Sequence, residues 1–470
     1  MTEHKDSLTD KNLSNKKLIF VFSSATSYRL QKYVIDRAID KGCEVVMLFT
    51  GSGGAFFSEV MADAEARGVM AIALEDEVSN AETEGPMPRL QRSFKQTIIL
   101  LLLRVIKPQP WPIREILSHR LRVCYKLLEQ HRADNVICSE DGISSDLVLL
   151  SAARLLGLPI IDIPFGNGTV SELDYDLDRK SKEGRLITPT GIKLFLLRWL
   201  APQWLKKGRH RGATMFEPQM IFAMESLGIS LRDSWIIHGG LSDILCVENE
   251  VAHRQYKDEG IPVHKLKLTG SPYCDVIYES VKEAKVSFKK VGRLDKEVTK
   301  VLVSWPPSYH DTYPGVSEFE TYEVMTQAVF SSLGQLPNID LTISVHPACD
   351  KQTMDFIKKL GFSISSRYII NLIPLHDVFF TYCSSTIRWA LASGKLVFNY
   401  DAYKLGIKTY DGAPGFNSHE KFSNLSGQMS ELLANEAAFE EMMALQISRA
   451  DEWGMVDGDS VKRIFNEIKV

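Results

Sequence analysis

Short apolar runs, rich in β-branched and aromatic residues, recur along the chain. Leu18-Ile-Phe-Val-Phe22 is the first. The small polar segment Ser23-Ser-Ala-Thr26 follows, and a helical pattern then runs from Arg29 to Lys41. Val45-Val-Met-Leu-Phe49 predicts a second strand, closed by Gly51-Ser-Gly-Gly54, and Met70-Ala-Ile-Ala-Leu74 predicts a third after another helical stretch. The pattern resumes at Asn135-Val-Ile-Cys138, Ile160-Ile-Asp-Ile163 and Ile244-Leu-Cys-Val247. Continuous apolar runs alternating with helices predict parallel strands covered on both faces. A second series begins near Lys300, with strands at Val301–Ser304, Leu341–Val345, Val378–Thr381 and Leu396–Asn399.

Between the two series lies a polar, Lys-rich stretch from Ser280 to Thr299, which reads as a linker. The expected organisation is therefore a tail (1–17), a first Rossmann-like domain (18–285), a linker (286–299) and a second Rossmann-like domain (300–470). The last helices, Ala437–Ile447 and Ser460–Ile468, are expected to pack back across the boundary. The fold class is α/β, with two similar halves facing a central cleft.

Composition narrows the picture. A chain of 470 residues exceeds one ordinary core. A net charge of −4 gives no general attraction to nucleic acid. The cysteines number seven and form no C-x-x-C pair, so a reduced, cytoplasmic setting is expected and no zinc site. The first residues lack the apolar stretch of a signal peptide. The longest apolar run, Ile98–Leu103, is far short of the roughly 18–20 residues of a spanning helix.

Two segments stand out. Residues 98–112 are apolar with interspersed Arg104 and Lys107. From Arg179 to Arg211, ten Lys/Arg and one acid, Glu183, surround Leu194–Leu197, Trp199, Leu200 and Trp204. Basic residues beside Trp and Leu suit an interfacial helix on an anionic membrane surface, with 98–112 and 190–211 as the contact. The alternative is an amphipathic helix packed on its own domain.

Candidate chemistry sits at strand ends. Ser139-Glu-Asp-Gly142 follows Val136–Cys138, and ligands of open α/β sheets bind at the carboxyl ends of strands. Glu140 or Asp141 there can take a proton from an acceptor hydroxyl; the alternative is a helix cap. His346-Pro347 ends the strand Leu341–Val345, where an imidazole can donate to a leaving phosphate. Ser384, Ser385 and Thr386 precede the helix Ile387–Ala392, an arrangement suited to phosphate or to an ordinary N-cap. Arg388 lies one turn in, either as an added phosphate contact or as a surface residue. Asp174-Tyr-Asp-Leu-Asp178 resembles neither an EF-hand nor a strand-end metal motif and reads as a solvated charge run in a loop. P-loop, G-x-S-x-G and H-E-x-x-H motifs are absent.

Together, the acidic pair with Gly, His-Pro and Ser-Ser/Thr resemble the signature of bacterial sialyltransferases and related capsule and lipopolysaccharide glycosyltransferases. Ala152–Pro159, Leu268–Pro272 and Ser384–Lys395 are also similar to capsule-type transferases and to the nucleotide-sugar epimerases that share their fold. The resemblance implies a GT-B fold and an inverting transfer from a CMP-sugar of the sialic acid or Kdo type. It makes Asp141 the general base, gives His346 the donor phosphate and leaving group, and lets Ser384 and Ser385 hold phosphate. The nucleotide sugar is then a substrate, no cofactor or metal is expected, and the acceptor is a glycan or lipid-linked. The rivals are a UDP-sugar-dependent transferase, a nucleotide-sugar 2-epimerase and a non-catalytic assembly subunit.

Overall fold

The computed structural model describes residues 16–51, 55–81, 93–105, 110–166, 168, 170–285, 289–295, 297–382 and 384–468. Nearly all of the expected tail, the Gly-rich turn after Gly51, residues 106–109 and parts of the expected linker lie outside them. The chain divides into two compact units. Unit 1 holds residues 1–247, 253–268 and 462–470, and unit 2 holds 248–252 and 269–461.

Unit 1 is built on strands β1 (Lys17–Phe22), β2 (Glu44–Phe49), β3 (Met70–Ala73), β4 (Asn135–Cys138), β5 (Ile160–Asp162), β6 (Ile244–Val247) and β7 (Leu266–Leu268). Among the described residues they form one seven-stranded sheet in the order β3-β2-β1-β4-β5-β6-β7, parallel throughout. The apolar runs become strands because both faces are covered: all of Leu18–Phe22 and Val136–Cys138 is buried. The helix Ala25–Asp40 starts abruptly after β1 because Ser24 and Ser27 close a capping box.

Unit 2 contains β8 (Thr299–Trp305), β9 (Ile339–Val345), β10 (Val378–Thr381), β11 (Leu396–Tyr400) and β12 (Phe416–His419). Their order, β12-β11-β10-β8-β9, is again parallel throughout. Each unit has its own core. Ile19, Val46 and Val136 anchor one, and Val301, Phe330 and Phe380 the other. The helix Glu436–Ser448 stays within unit 2, where Gln446 bonds Leu391 O at 2.9 Å and Gly415 N at 2.9 Å. The last residues, 462–470, belong to unit 1.

Both strand orders reverse direction once, between β1 and β4 in unit 1 and between β8 and β10 in unit 2. Neighbouring strand ends diverge at such points and leave a crevice beyond their carboxyl termini.

Two sequence expectations need correction here. Asp174, Asp176 and Asp178 lie on a helix, Val170–Lys182, and not in a loop. Their carboxylates pair with Lys206 at 2.9 Å, Arg179 at 2.6 Å and His210 at 2.7 Å respectively. In the basic segment, Trp204 and Lys206 are internal. Trp204 is fully buried and bonds Glu225 through its indole N–H at 2.7 Å, and the Lys206 ammonium lies over Trp235. Burial of the Trp204 ring in the unit 1 core outweighs any outward role.

Candidate active site

The crevice between β1 and β4 is lined by hydroxyls. Ser23, Ser27 and Thr50 come from the β1 and β2 side, and Ser139 and Ser145 from the loop after β4. Glu140 lies among them, half-buried, in a small cavity of about 20 Å³. Burial raises the Glu140 carboxyl above its ordinary range; His238 pulls it down and neighbouring Asp141 pushes it up. Gln31 fixes the loop from below, donating to Ser139 Oγ at 2.7 Å and to Val21 O at 3.3 Å.

Asp141 is internal. Its side chain is 0% exposed, and its Oδ2 accepts the Ser242 N–H at 2.7 Å. It shares a closed space with Asp162 and His238, whose ligating atoms all lie within 4.8 Å of one another. His238 Nδ1 sits 2.8 Å from Asp162 Oδ2. Burial raises Asp162, with His238 opposing. Burial works against the His238 imidazolium, yet Asp162, Asp141 and Glu140 outweigh it and raise its pKa. The sequence reading missed Asp162 and His238. The available signal was His238-Gly-Gly240, two glycines after a histidine shortly before an apolar strand.

Those glycines explain the Gly of Glu-Asp-Gly. A Cβ on Gly142 would lie 2.2 Å from Ile237 O, and one on Gly240 would lie 2.7 Å from Asp141 O. The two loops touch backbone to backbone, which is what brings His238 beside Asp141 and Asp162.

In unit 2, β8 runs between β9 and β10, and all three end at one edge of the sheet. His346 follows β9 and is exposed; its Nδ1 accepts the Ala348 N–H at 3.0 Å, so the ring donates from Nε2. The His346 backbone N–H donates to Trp305 O at 2.9 Å, and Pro347 is exposed beside it. Ser384, Ser385 and Thr386 follow β10. Ser384 Oγ and Thr386 Oγ1 are 2.6 Å apart, and Ser385 is exposed. Two strand spacings, about 10 Å, separate the His346 and Ser384 strands. Between them, the hydroxyls of Tyr322 and Tyr382 donate to Pro306 O at 2.6 and 2.7 Å and fix the loop after β8. No side chain caps the helix Ile387–Ala392, which spans six residues.

Arg388 departs from both expectations for it. Every residue of that helix is buried, so its guanidinium enters the interior, 1% exposed. It lies 3.3 Å from Glu248 Oε2 and over the Trp389 ring at 4.4 Å. It is an internal ion pair and not a phosphate ligand.

A larger cavity of about 470 Å³ opens beside the ends of β8 and β9. Asp311, Glu320, Glu323 and Asp350 line it without a Lys or Arg, an unfavourable environment for phosphate.

No protein-family model and no curated protein matches the sequence. Solved structures do match in shape. A putative UDP-N-acetylglucosamine 2-epimerase from Listeria monocytogenes superposes with a TM-score of 0.51 at 12% identity, over 97% of this chain and 96% of that one. The UDP-GlcNAc 2-epimerase of Neisseria meningitidis, bound to UDP-GlcNAc, gives 0.50 at 13% identity over 96% and 98%. The glycotransferase of kitacinnamycin gives 0.50 at 12% identity over 97% and 100%. These likenesses cover nearly the whole chain and define its fold as GT-B, with two Rossmann-like α/β units.

Proposed function

We propose that the chain is an inverting glycosyltransferase acting on a nucleotide sugar. The observation that carries this reading is Glu140: a half-buried carboxylate with a raised pKa, in a hydroxyl-lined crevice at the strand-order reversal of unit 1. Glu140 takes the proton of an acceptor hydroxyl on a glycan or lipid-linked glycan. The acceptor oxygen bonds the anomeric carbon as the bond from that carbon to phosphate oxygen breaks, and the electron pair leaves with the nucleotide. The His346 Nε2–H and the hydroxyls of Ser384, Ser385 and Thr386 receive the phosphate. Asp141 acts by holding the loop through Ser242.

The donor is a CMP-activated 2-keto sugar. His-Pro and Ser-Ser/Thr at strand ends on either side of β8 support it, since a single phosphate needs few partners. Arg388, the one cation expected to assist a diphosphate, is engaged with Glu248. A second reading, a UDP-sugar transferase or 2-epimerase, draws on the UDP-GlcNAc bound to the Neisseria enzyme of like fold.

Calorimetry with CMP and UDP, with and without EDTA, separates these donors. CMP should bind, and His346→Ala should weaken it by about 1.5–3 kcal/mol, the range for a hydrogen bond to a charged group. Tight UDP binding without CMP binding removes the CMP assignment. Interconversion of a UDP-sugar in the absence of acceptor identifies the epimerase. Glu140→Gln should reduce transfer by about 10²–10⁴-fold and leave nucleotide affinity unchanged. Turnover at the wild-type rate removes Glu140 from the chemistry.

A further inference from the structure

The helices Phe94–Val105 and Gly191–Leu200 of unit 1 meet at a small cluster around Ile99 and Leu200. Leu196, Leu102 and Trp111 extend this inner contact. An amphipathic helix ordinarily spends its apolar face on such a contact. Here a second apolar face remains outside. Ile192, Phe195 and Trp199 are 76%, 67% and 62% exposed. They are spaced i, i+3 and i+7, so at about 100° per residue they form one stripe on the helix. Phe94 and Leu101, also seven residues apart, are 83% and 55% exposed on the neighbouring helix.

The charge along both segments of sequence has one sign. Neither Asp nor Glu occurs between Gly184 and Phe216, or between Gly85 and Arg114. Lys193, Arg198, Lys207 and Arg211 are exposed along the first of these stretches. The acids nearest in sequence are Glu183 and Glu217 at the ends of the first stretch and Glu84 and Glu115 at the ends of the second. Glu183 is engaged by Arg179 at 3.2 Å and Glu115 by the Trp111 indole N–H at 2.6 Å. An exposed Trp-Phe-Ile stripe, on a stretch of chain that carries cations and no carboxylate, is complementary to the acyl boundary of an anionic bilayer. No described helix is long and apolar enough to cross a membrane, so the geometry is that of a helix lying in the interface.

We propose that the outward stripe Ile192–Phe195–Trp199, together with the exposed Phe94 and Leu101, docks unit 1 onto an anionic lipid surface. The docking involves none of the groups assigned to sugar transfer, so it stands or falls separately from that reaction. Trp204 and Lys206 take no part, because both are internal.

Co-sedimentation of the full chain with vesicles tests this. Vesicles containing phosphatidylglycerol should retain the protein at low salt, and high salt or pure phosphatidylcholine should release most of it. The double substitution Phe195→Ser/Trp199→Ser should lower partitioning by at least about tenfold, because both rings supply the buried apolar area. A matching thermal midpoint and circular dichroism spectrum show that the variant folds. Brominated acyl chains should quench the wild-type tryptophan fluorescence, and Trp199→Phe should remove that quenching; this measurement needs no destabilising change. Failure of the wild type to bind anionic vesicles at low salt overturns the proposal, as does undiminished binding by the double variant. So does a stripe that buries a second copy instead: a dimer, seen by sedimentation equilibrium, that the same substitutions dissociate while vesicles capture nothing.

Discussion

The two carboxylates that follow β4 differ in burial: Glu140 is half-buried and Asp141 is fully buried. Glu140 enters the hydroxyl-lined crevice, and Asp141 turns inward to the Ser242 N–H. Asp141→Ala should therefore act on stability. It leaves a buried N–H without its acceptor, at a cost of about 1–3 kcal/mol, read as a lower denaturation midpoint. Arg388→Ala should cost more, about 3–5 kcal/mol, because Glu248 is then left buried without its countercharge. An unchanged midpoint in that variant would show that the 3.3 Å pair contributes nothing. At this scale the sequence placed both carboxylates directly after β4 but could not show how deeply each is buried, since that depends on the loop at Ile236–Gly240. Arg388 was illegible for a related reason: nothing local reveals that all of Ile387–Ala392 is buried.

Gly142 is the element-scale counterpart. It lets the loop after β4 lie against the backbone of Ile236 and Ile237, and Gly240 returns the contact against Asp141 O. Gly142→Ala would place a methyl 2.2 Å from a carbonyl oxygen, so the loops must part. The expected result is a loss of about 1–3 kcal/mol, the usual cost of overpacking, together with loss of turnover as Glu140 moves. A variant with wild-type stability and turnover would show that the loop yields freely. Strands of continuous apolar residues, such as Leu18–Phe22 and Val301–Ser304, were legible because burial on both faces leaves an unmistakable pattern. β7 and β12 were not. Leu266-Lys-Leu268 carries a lysine at its centre, and Phe416-Asn-Ser-His419 is mostly polar, so neither stands out from a loop. The helix Val170–Lys182 was read as a loop because its acids and bases hide a helix held by the Lys206 ion pair and the His210 hydrogen bond.

Across the whole molecule, two alternating series in the sequence become two parallel sheets, each with a core of its own. One buried histidine in each unit responds to pH in the opposite direction to the other, His238 in unit 1 and His376 in unit 2. In unit 1, the Asp162–His238 pair binds protons more tightly folded than unfolded, since both pKa values are raised. Its stabilisation is fully present below the unfolded values and is lost as pH rises, for His238 from the ordinary imidazole value near ~6.5 upward. In unit 2, burial lowers His376 to about 4, against the favourable Leu372 O contact at 2.7 Å. The unfolded chain then binds the extra proton between the ordinary value near ~6.5 and that lowered value, so stability falls as pH drops through this window. Variants isolate each effect from the other carboxylates. His376→Gln should gain stability relative to wild type between about pH 6.5 and 4 and match its slope above that range. His238→Gln should differ from wild type in slope chiefly above about pH 6.5. Hydrogen exchange followed in β8–β10 for the first variant and in β4–β6 for the second assigns each response to its unit. Equal slopes for His376→Gln and wild type in acid would mean that His376 is protonated in the folded chain.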